Sequence, residues 1–292
     1  MEKKTVAYKT AESWATVPHV SFVYEADAGC ILAELQQLNK NTTVHITLNT
    51  LFLRIITEAV KAAPQVNAHI TYNRRRVSGK IERRDEINIS VPWLLDSGEM
   101  ITVNLRNFEN KTLCEMQDYI DKIRNKIKNR DIYIPLRQTC VDNLLCDLKK
   151  GRIFKVLSAL TGSVFGKSRT PKRKRKDIKV YKKISAADKI TKDDLAVGTI
   201  TVSNIGSLHK KQSGFMALLE IIPPQVFAVG IGVVQEKAGM ICGASGEKTI
   251  GIVKVAPICL AFDHRALNFN DIIPFLRKLD DIFSSGEIVR EW

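Results

Sequence analysis

A mixed α/β or α+β fold is predicted by three features of the chain. Short apolar stretches with strand character alternate with segments whose apolar residues recur at helical spacing. No Gly-x-Gly-x-x-Gly or phosphate-loop motif follows any strand, and no internal repeat is visible. Val20 to Glu25 reads as a strand, and Asp27 can cap a helix that puts Ile31, Leu32, Leu35 and Leu38 on one face. Thr47 to Ala63 carries Leu48, Leu51, Phe52, Ile55, Ile56, Ala59 and Val60 inward and ends at Pro64, whose ring cannot continue a helix. Strand patterns follow at His69 to Tyr72, Ile87 to Pro92 and Met100 to Leu105, the last two joined by the turn Asp96-Ser97-Gly98. Leu113, Met116, Ile120, Ile123 and Ile127 mark a long helix. Three β-rich stretches, Thr199 to Asn204, Gln225 to Val234 and Thr249 to Phe262, precede a closing helix with Ile272, Ile273, Phe275, Leu276, Leu279 and Phe283.

With 292 residues, 45% of them hydrophobic and 26% charged, the chain is large enough to bury a sizeable core, which excludes disordered and disulfide-scaffold classes. No apolar run approaches the roughly 20 residues that cross a bilayer, and Met1 to Val6 leads into polar sequence, so a cytoplasmic location is expected. Cys30, Cys114, Cys140, Cys146, Cys242 and Cys259 are scattered without a Cys-x-x-Cys pair or a His at ligand spacing, so no metal site is expected. The formal charge of +14 is concentrated: Lys149 to Lys183 holds fourteen Lys and Arg against one acid, Asp177. The remainder is nearly neutral, so binding to nucleic acid is not indicated. Before and within this segment, Val141, Leu144, Leu145 and Leu148, then Ile153, Val156, Leu157, Leu160 and Val164, form helical stripes. One domain over 1–292 with a basic, partly helical insertion at about 130–192 is the expected organisation. That insertion reads first as a piece packed on its own domain and second, over Val141 to Lys183, as a surface for anionic membrane.

Two features carry chemistry. His264 lies in Phe262-Asp263-His264-Arg265-Ala266-Leu267-Asn268, between an apolar strand and a helix, where an imidazole titrating near neutrality can move a proton. Gly198-Thr199-Ile200-Thr201-Val202-Ser203-Asn204-Ile205-Gly206 is a strand whose hydroxyl and amide side chains precede a glycine turn, and such a hydroxyl can donate to a developing oxyanion. Each alone is also ordinary surface or turn chemistry.

Their order and flanks together resemble the catalytic domain of the dihydrolipoyl acyltransferases of 2-oxoacid dehydrogenase complexes. The family's Gly-Thr-x-Thr-x-Ser-Asn-x-Gly is matched by Gly198 to Gly206, its Pro-Pro-Gln by Pro223-Pro224-Gln225, its Asp-His-Arg by Asp263-His264-Arg265, and its early Pro-His by Pro18-His19. The likeness covers Ser13 to about Asn129 and Leu195 to the end, skipping the basic insertion. It implies a chloramphenicol acetyltransferase-like two-layer α+β sandwich, a mixed sheet with helices on one face. It further implies homotrimers with the site in a channel between subunits, and acyl transfer between coenzyme A and a thiol or other small or carrier-bound acceptor. On that reading His264 is the general base, Ser203 the oxyanion donor and Asn268 a third catalytic residue, while Thr201, Asn204, Asp263, Arg265 and Phe269 meet substrate or cofactor.

The family signature continues His-x-x-x-Asp-Gly, whereas this chain has Asn268 and Phe269. An Asn cannot stabilise an imidazolium by charge, and a phenyl ring fills space that glycine leaves open, so reduced or altered activity is expected. No lipoyl or subunit-binding domain is expected ahead of the matched region, so either the lipoyl group is expected on a separate protein or the acceptor is a free thiol, amine or alcohol or a carrier's pantetheine arm. A catalytically impaired trimeric scaffold, associated with membrane through its basic insertion, is the competing expectation.

Overall fold

The computed structural model describes residues 2–128, 132–149, 174–207, 211, 213–242 and 246–292. Along the chain run α1 (Glu2–Thr16), β1 (His19–Asp27), α2 (Gly29–Asn41), α3 (Leu48–Ala62), β2 (Ala68–Asn73), β3 (Ser78–Arg83), β4 (Ile89–Leu94) and β5 (Met100–Leu105). They are followed by α4 (Leu113–Lys128), α5 (Tyr133–Lys149), α6 (Arg175–Lys183), β6 (Ile200–Asn204), β7 (Phe227–Ile231), β8 (Gln235–Cys242), β9 (Lys248–Asp263) and α7 (Phe269–Ser285). A seven-stranded sheet has the order β1-β9-β7-β6-β4-β5, with β8 paired to the first half of β9, and β2 and β3 form a separate hairpin. β6 lies parallel to β4 and β7, and the other pairs are antiparallel.

The two faces of this sheet differ because side chains alternate along each strand and partners across the sheet share a face. Ile200 and Val202, Phe227, Val229 and Ile231, and Ile258, Leu260 and Phe262 fall on one face and are almost fully buried in the main core with α3 and α7. At about 1.5–3 kcal/mol for each large side chain taken from water, this face is the main source of stability. The other face carries Ser90, Thr201 and Ser203, Ala228 and Gly230, Cys259 and Ala261. It is covered in part by Val17, Leu218, Leu219 and Ile221, a small second cluster.

Thr47 caps α3 by accepting from Thr50 N, whereas the N-cap of α2 is Ala28 and not the expected Asp27, whose Oδ1 accepts from Gly29 N (2.9 Å). Four elements, α1, β3, α6 and β8, escape the sequence reading. α1 has too few apolar residues for a stripe and is held by polar contacts instead: Ser13 Oγ donates to Ile221 O (2.6 Å), and Thr10 Oγ1 donates to Glu220 (2.9 Å). β3 is largely exposed and polar, and only its pairing with β2 makes it a strand.

α5 starts at Tyr133, earlier than the Val141 stripe indicates. The second predicted stripe, Ile153 to Val164, lies outside the described residues. Both described ends of the insertion pack on the domain, since Ile132 and Ile190 join the main core, and within the insertion Tyr181 OH donates to Ile190 O (2.7 Å). Among the described residues no helix is long and apolar enough to cross a membrane.

Candidate active site

The Gly198 to Gly206 stretch is β6 with its flanks, and most of its polar groups are spent on holding it in place. Gly198 N donates to Ser90 Oγ (2.8 Å), and a Cβ at this position would lie 2.4 Å from Asn88 O, so only glycine fits. Gln225, buried after the two prolines, donates from Nε2 to Gly198 O (2.9 Å) and accepts from Thr201 Oγ1 at Oε1 (2.6 Å). His69 on β2 places Nε2 3.2 Å from the same Gly198 carbonyl, and burial lowers its pKa despite that bond. Asn204 Nδ2 donates to Asn49 Oδ1 (2.9 Å), tying the end of β6 to the first turn of α3. Thr201 and Asn204 therefore position the strand. Ser203 sits between them, half-buried, and its hydroxyl makes no hydrogen bond with any described residue.

His264 follows the last residue of β9. Asp263 is completely buried, and its carboxylate is taken by the Arg265 guanidinium through Nε (3.0 Å) and Nη2 (2.6 Å) and by Arg265 N (2.9 Å). The Asp263 carbonyl accepts from Ala266 N and Leu267 N, and His264 N donates to Pro18 O (3.0 Å), so the turn is held on both sides of the histidine. A buried carboxylate stripped of its cation is costly, so Asp263 and Arg265 act as a unit that fixes the turn. The imidazole itself is exposed, lies edge-on to Phe262 (6.1 Å between ring centres) and has no hydrogen-bond partner among the described residues.

His19, the family's early histidine, has a structural task. Its Nε2 accepts from Ile221 N (3.2 Å) and lies 3.2 Å from Ser13 Oγ, whose proton goes to Ile221 O. Burial lowers its pKa. Asn268 caps α7, with its backbone N donating to Asp271 Oδ2 (2.8 Å) and its side chain exposed. Phe269 packs edge-on against Phe22 (5.6 Å). Phe22 is level with Leu260, so within the chain that ring lies on the helix-backed face, opposite Ser203.

Ser203 is level with Gly230 on β7 and Cys259 on β9, five residues short of His264. At 3.3–3.4 Å per residue and 4.8 Å per strand, the two backbones stand about 17 Å apart along the sheet and about 10 Å across it. No rotamer of either side chain spans that gap, so one chain cannot bring hydroxyl and imidazole onto one reacting atom. Cys259, on the same face as Ser203, has its thiol pKa raised to about 11 by burial and is no nucleophile. The signals that sequence reading missed here are the partners Ser90, His69 and Asn49, which no local pattern connects to β6. Among the described residues no group of His, Cys, Asp and Glu is arranged to hold a metal.

The sequence matches the family model for 2-oxoacid dehydrogenases acyltransferase (catalytic domain) over residues 2–134 and 172–287, and the chain belongs to that family. It is an acyltransferase domain by descent, interrupted by a segment the family model does not match. A dihydrolipoyllysine-residue acetyltransferase component of the pyruvate dehydrogenase complex from Mycobacterium tuberculosis is 31% identical over 94 residues, 32% of this chain and 16% of that protein. The chain thus matches about a sixth of that relative's length. The fold resembles that of a probable dihydrolipoamide acetyltransferase from Listeria monocytogenes, at a TM-score of 0.63 and 17% identity over 96% of this chain and 90% of that one. It also resembles the dihydrolipoamide acetyltransferase of Azotobacter vinelandii, at a TM-score of 0.61 and 17% identity over 99% and 90%. The Azotobacter structure was determined in a study of the catalytic roles of a serine, a histidine and an asparagine, the last two four positions apart.

Proposed function

We propose that this domain transfers an acyl group between coenzyme A and a dihydrolipoyl-type thiol, at a site completed by two protomers of a homotrimer. The single observation that carries the reading is the division of labour among the motif residues. Thr201, Asn204, Gln225, Asp263 and Arg265 are committed to internal hydrogen bonds, whereas the Ser203 hydroxyl and the His264 imidazole are left uncommitted among the described residues. Two such groups, each fixed at the backbone by its neighbours, are what a reaction between two bound substrates needs.

The chemistry follows from their types. The His264 imidazole takes the proton of the acceptor thiol as its sulfur attacks the thioester carbonyl. The resulting oxyanion receives a hydrogen bond from the Ser203 hydroxyl of the adjacent protomer. Collapse expels the coenzyme A thiolate, which recovers the proton from the imidazolium, so no acyl-enzyme forms. Asn268 stands four residues after His264, the spacing of the histidine and asparagine studied in the Azotobacter relative. That spacing favours a working Asn268, whose side-chain carbonyl can accept from an imidazole N–H and hold its tautomer.

Complementation tests the reading. His264→Ala and Ser203→Ala proteins are made separately and by co-expression, and coenzyme A release is followed with acetyl-CoA and dihydrolipoamide. Each single variant is expected to be nearly inactive and mixed oligomers to regain activity, because some sites pair an intact histidine with an intact serine. Absence of turnover in the unaltered protein across acyl-CoAs and acceptors would instead favour a trimeric scaffold. Absence of recovery in the co-expressed protein would overturn a site shared between two protomers.

A further inference from the structure

We propose that the tip of the β2–β3 hairpin is the docking surface for an acidic carrier domain that presents the acceptor thiol to His264. The proposal rests on the acyl-transfer reading above and names the kind of molecule that brings the acceptor.

Charge is the first observation. The turn of the hairpin is Asn73-Arg74-Arg75-Arg76-Val77, and all of it is exposed. Asn73 Oδ1 accepts from Arg75 N (3.0 Å) and Arg76 N (3.2 Å), which pins the turn at its base. Further down, Glu82 is already shared by Lys80 (3.0 Å) and Arg84 (3.1 Å). Arg74, Arg75 and Arg76 thus remain three adjacent cations with no ion-pair partner among the described residues. In the sequence this group is separate from the basic insertion.

Composition is the second. Beside the three arginines, Tyr72, Val77 and Ile81 are exposed by 38%, 78% and 47%. Arginine and tyrosine with scattered aliphatic area is the make-up of protein interfaces, not of a surface built for solvation alone. The three guanidiniums are also carried on an outward turn, a convex arrangement that suits a broad acidic surface. Recognition of one phosphate group calls instead for donors converging on a single point.

Position is the third. The Arg265 guanidinium lies over the Tyr72 ring, 5.2 Å from its centre, and Arg265 is the residue after His264. The hairpin base is fastened to the same region, with Ile70 N donating to Pro224 O (2.8 Å). Arg74 is two residues beyond Tyr72, about 7 Å further along the strand. An acidic domain resting on the tip would therefore stand beside the catalytic histidine, within reach of a flexible thiol arm.

The test uses the full chain and a net-acidic lipoyl domain, dihydrolipoylated, as the probe. Its binding to the unaltered protein is read by fluorescence anisotropy, and acyl transfer is measured to that domain and to free dihydrolipoamide. For the Arg74→Glu/Arg75→Glu/Arg76→Glu protein, KM for the domain is expected to rise by about tenfold or more, with kcat and both small-substrate KM values unchanged. Binding of the domain should weaken in parallel and should weaken in the unaltered protein as salt is raised. The Gln triple variant is expected to fall between the two. An unchanged KM and affinity for the domain would overturn the proposal. So would a rise in KM for acyl-CoA, which would make the tip a nucleotide-phosphate site, or a change of oligomeric mass, which would make it a contact between copies. If the unaltered protein transfers to neither acceptor yet binds the domain in a salt- and arginine-dependent way, the docking surface stands and the acyl-transfer reading falls.

Discussion

The two faces of the sheet are built from the same strands and serve opposite ends. On the helix-backed face Ile200 and Val202 of β6, Phe227, Val229 and Ile231 of β7, and Ile258, Leu260 and Phe262 of β9 are almost inaccessible to solvent, with the polar Asn204 at the end of β6. On the other face the same strands carry threonine, serine, glycine, alanine and cysteine, under a thin cover of four apolar side chains, Val17 just after α1 and Leu218, Leu219 and Ile221. One face spends area on burial, and the other, on the function proposed above, takes the substrate and the second protomer. The contrast teaches that stability and chemistry can be assigned to alternate residues of one strand. A substitution should then damage one and spare the other.

The sharpest way to break that contrast is at His264. His264→Ala is expected to lower kcat/KM by about 10²–10⁴-fold, the usual range for a positioned general base, while thermal unfolding stays within about a degree. Loss of stability with retained activity would reverse the assignment. On the opposite face, Phe227→Ala should cost about 3–5 kcal/mol in denaturant unfolding, because a fully buried ring that meets Phe275 edge-on at 5.2 Å leaves a cavity behind. Ser203→Ala comes next, with an expected loss of about 2.7–4 kcal/mol in transition-state stabilisation and no change in unfolding midpoint. Gly198→Ala probes the boundary, since its new methyl must displace Asn88 O and Ser90. A stability loss of about 1–3 kcal/mol is expected, with activity falling because β6 shifts.

The smallest expected effect concerns pH. Burial lowers the pKa of His69 below the ordinary 6.5, so the folded protein binds fewer protons than the unfolded chain as pH falls through that region. Its contribution is complete above pH 6.5 and is lost progressively below it. Melting temperatures measured from pH 7.5 to 5 should therefore drop less steeply in His69→Gln than in the unaltered protein. Parallel curves would remove His69 from the acid response.

Much of this fold was legible in the chain because burial writes itself as periodicity. The α3 and α7 stripes, the β4–β5 hairpin around Gly98 and the long β9 all follow from spacing of apolar residues. Two of the elements that escaped did so for stated reasons. α1 is held by hydroxyl and carboxylate contacts with residues some two hundred positions away, and β3 is a strand only by virtue of its partner. The candidate site divides in the same way. His264 and Ser203 were visible as residue types in suggestive settings. That Thr201, Asn204, Asp263 and Arg265 are committed to structure could be seen only when Gln225, Asn49 and Tyr72 were brought beside them. Phe269, whose ring the sequence placed near substrate, lies within the chain against Phe22 on the far side of the sheet.

By itself, the sequence determined which residues are buried, where the charge is concentrated and which ordered motifs mark the acyltransferase family, since each is a local or linear property. Only the tertiary structure decided which polar groups are already satisfied and which remain for chemistry. Hydrogen-bond partners come from strands distant in sequence, and the register of β6, β7 and β9 alone shows that Ser203 cannot meet the histidine of its own chain.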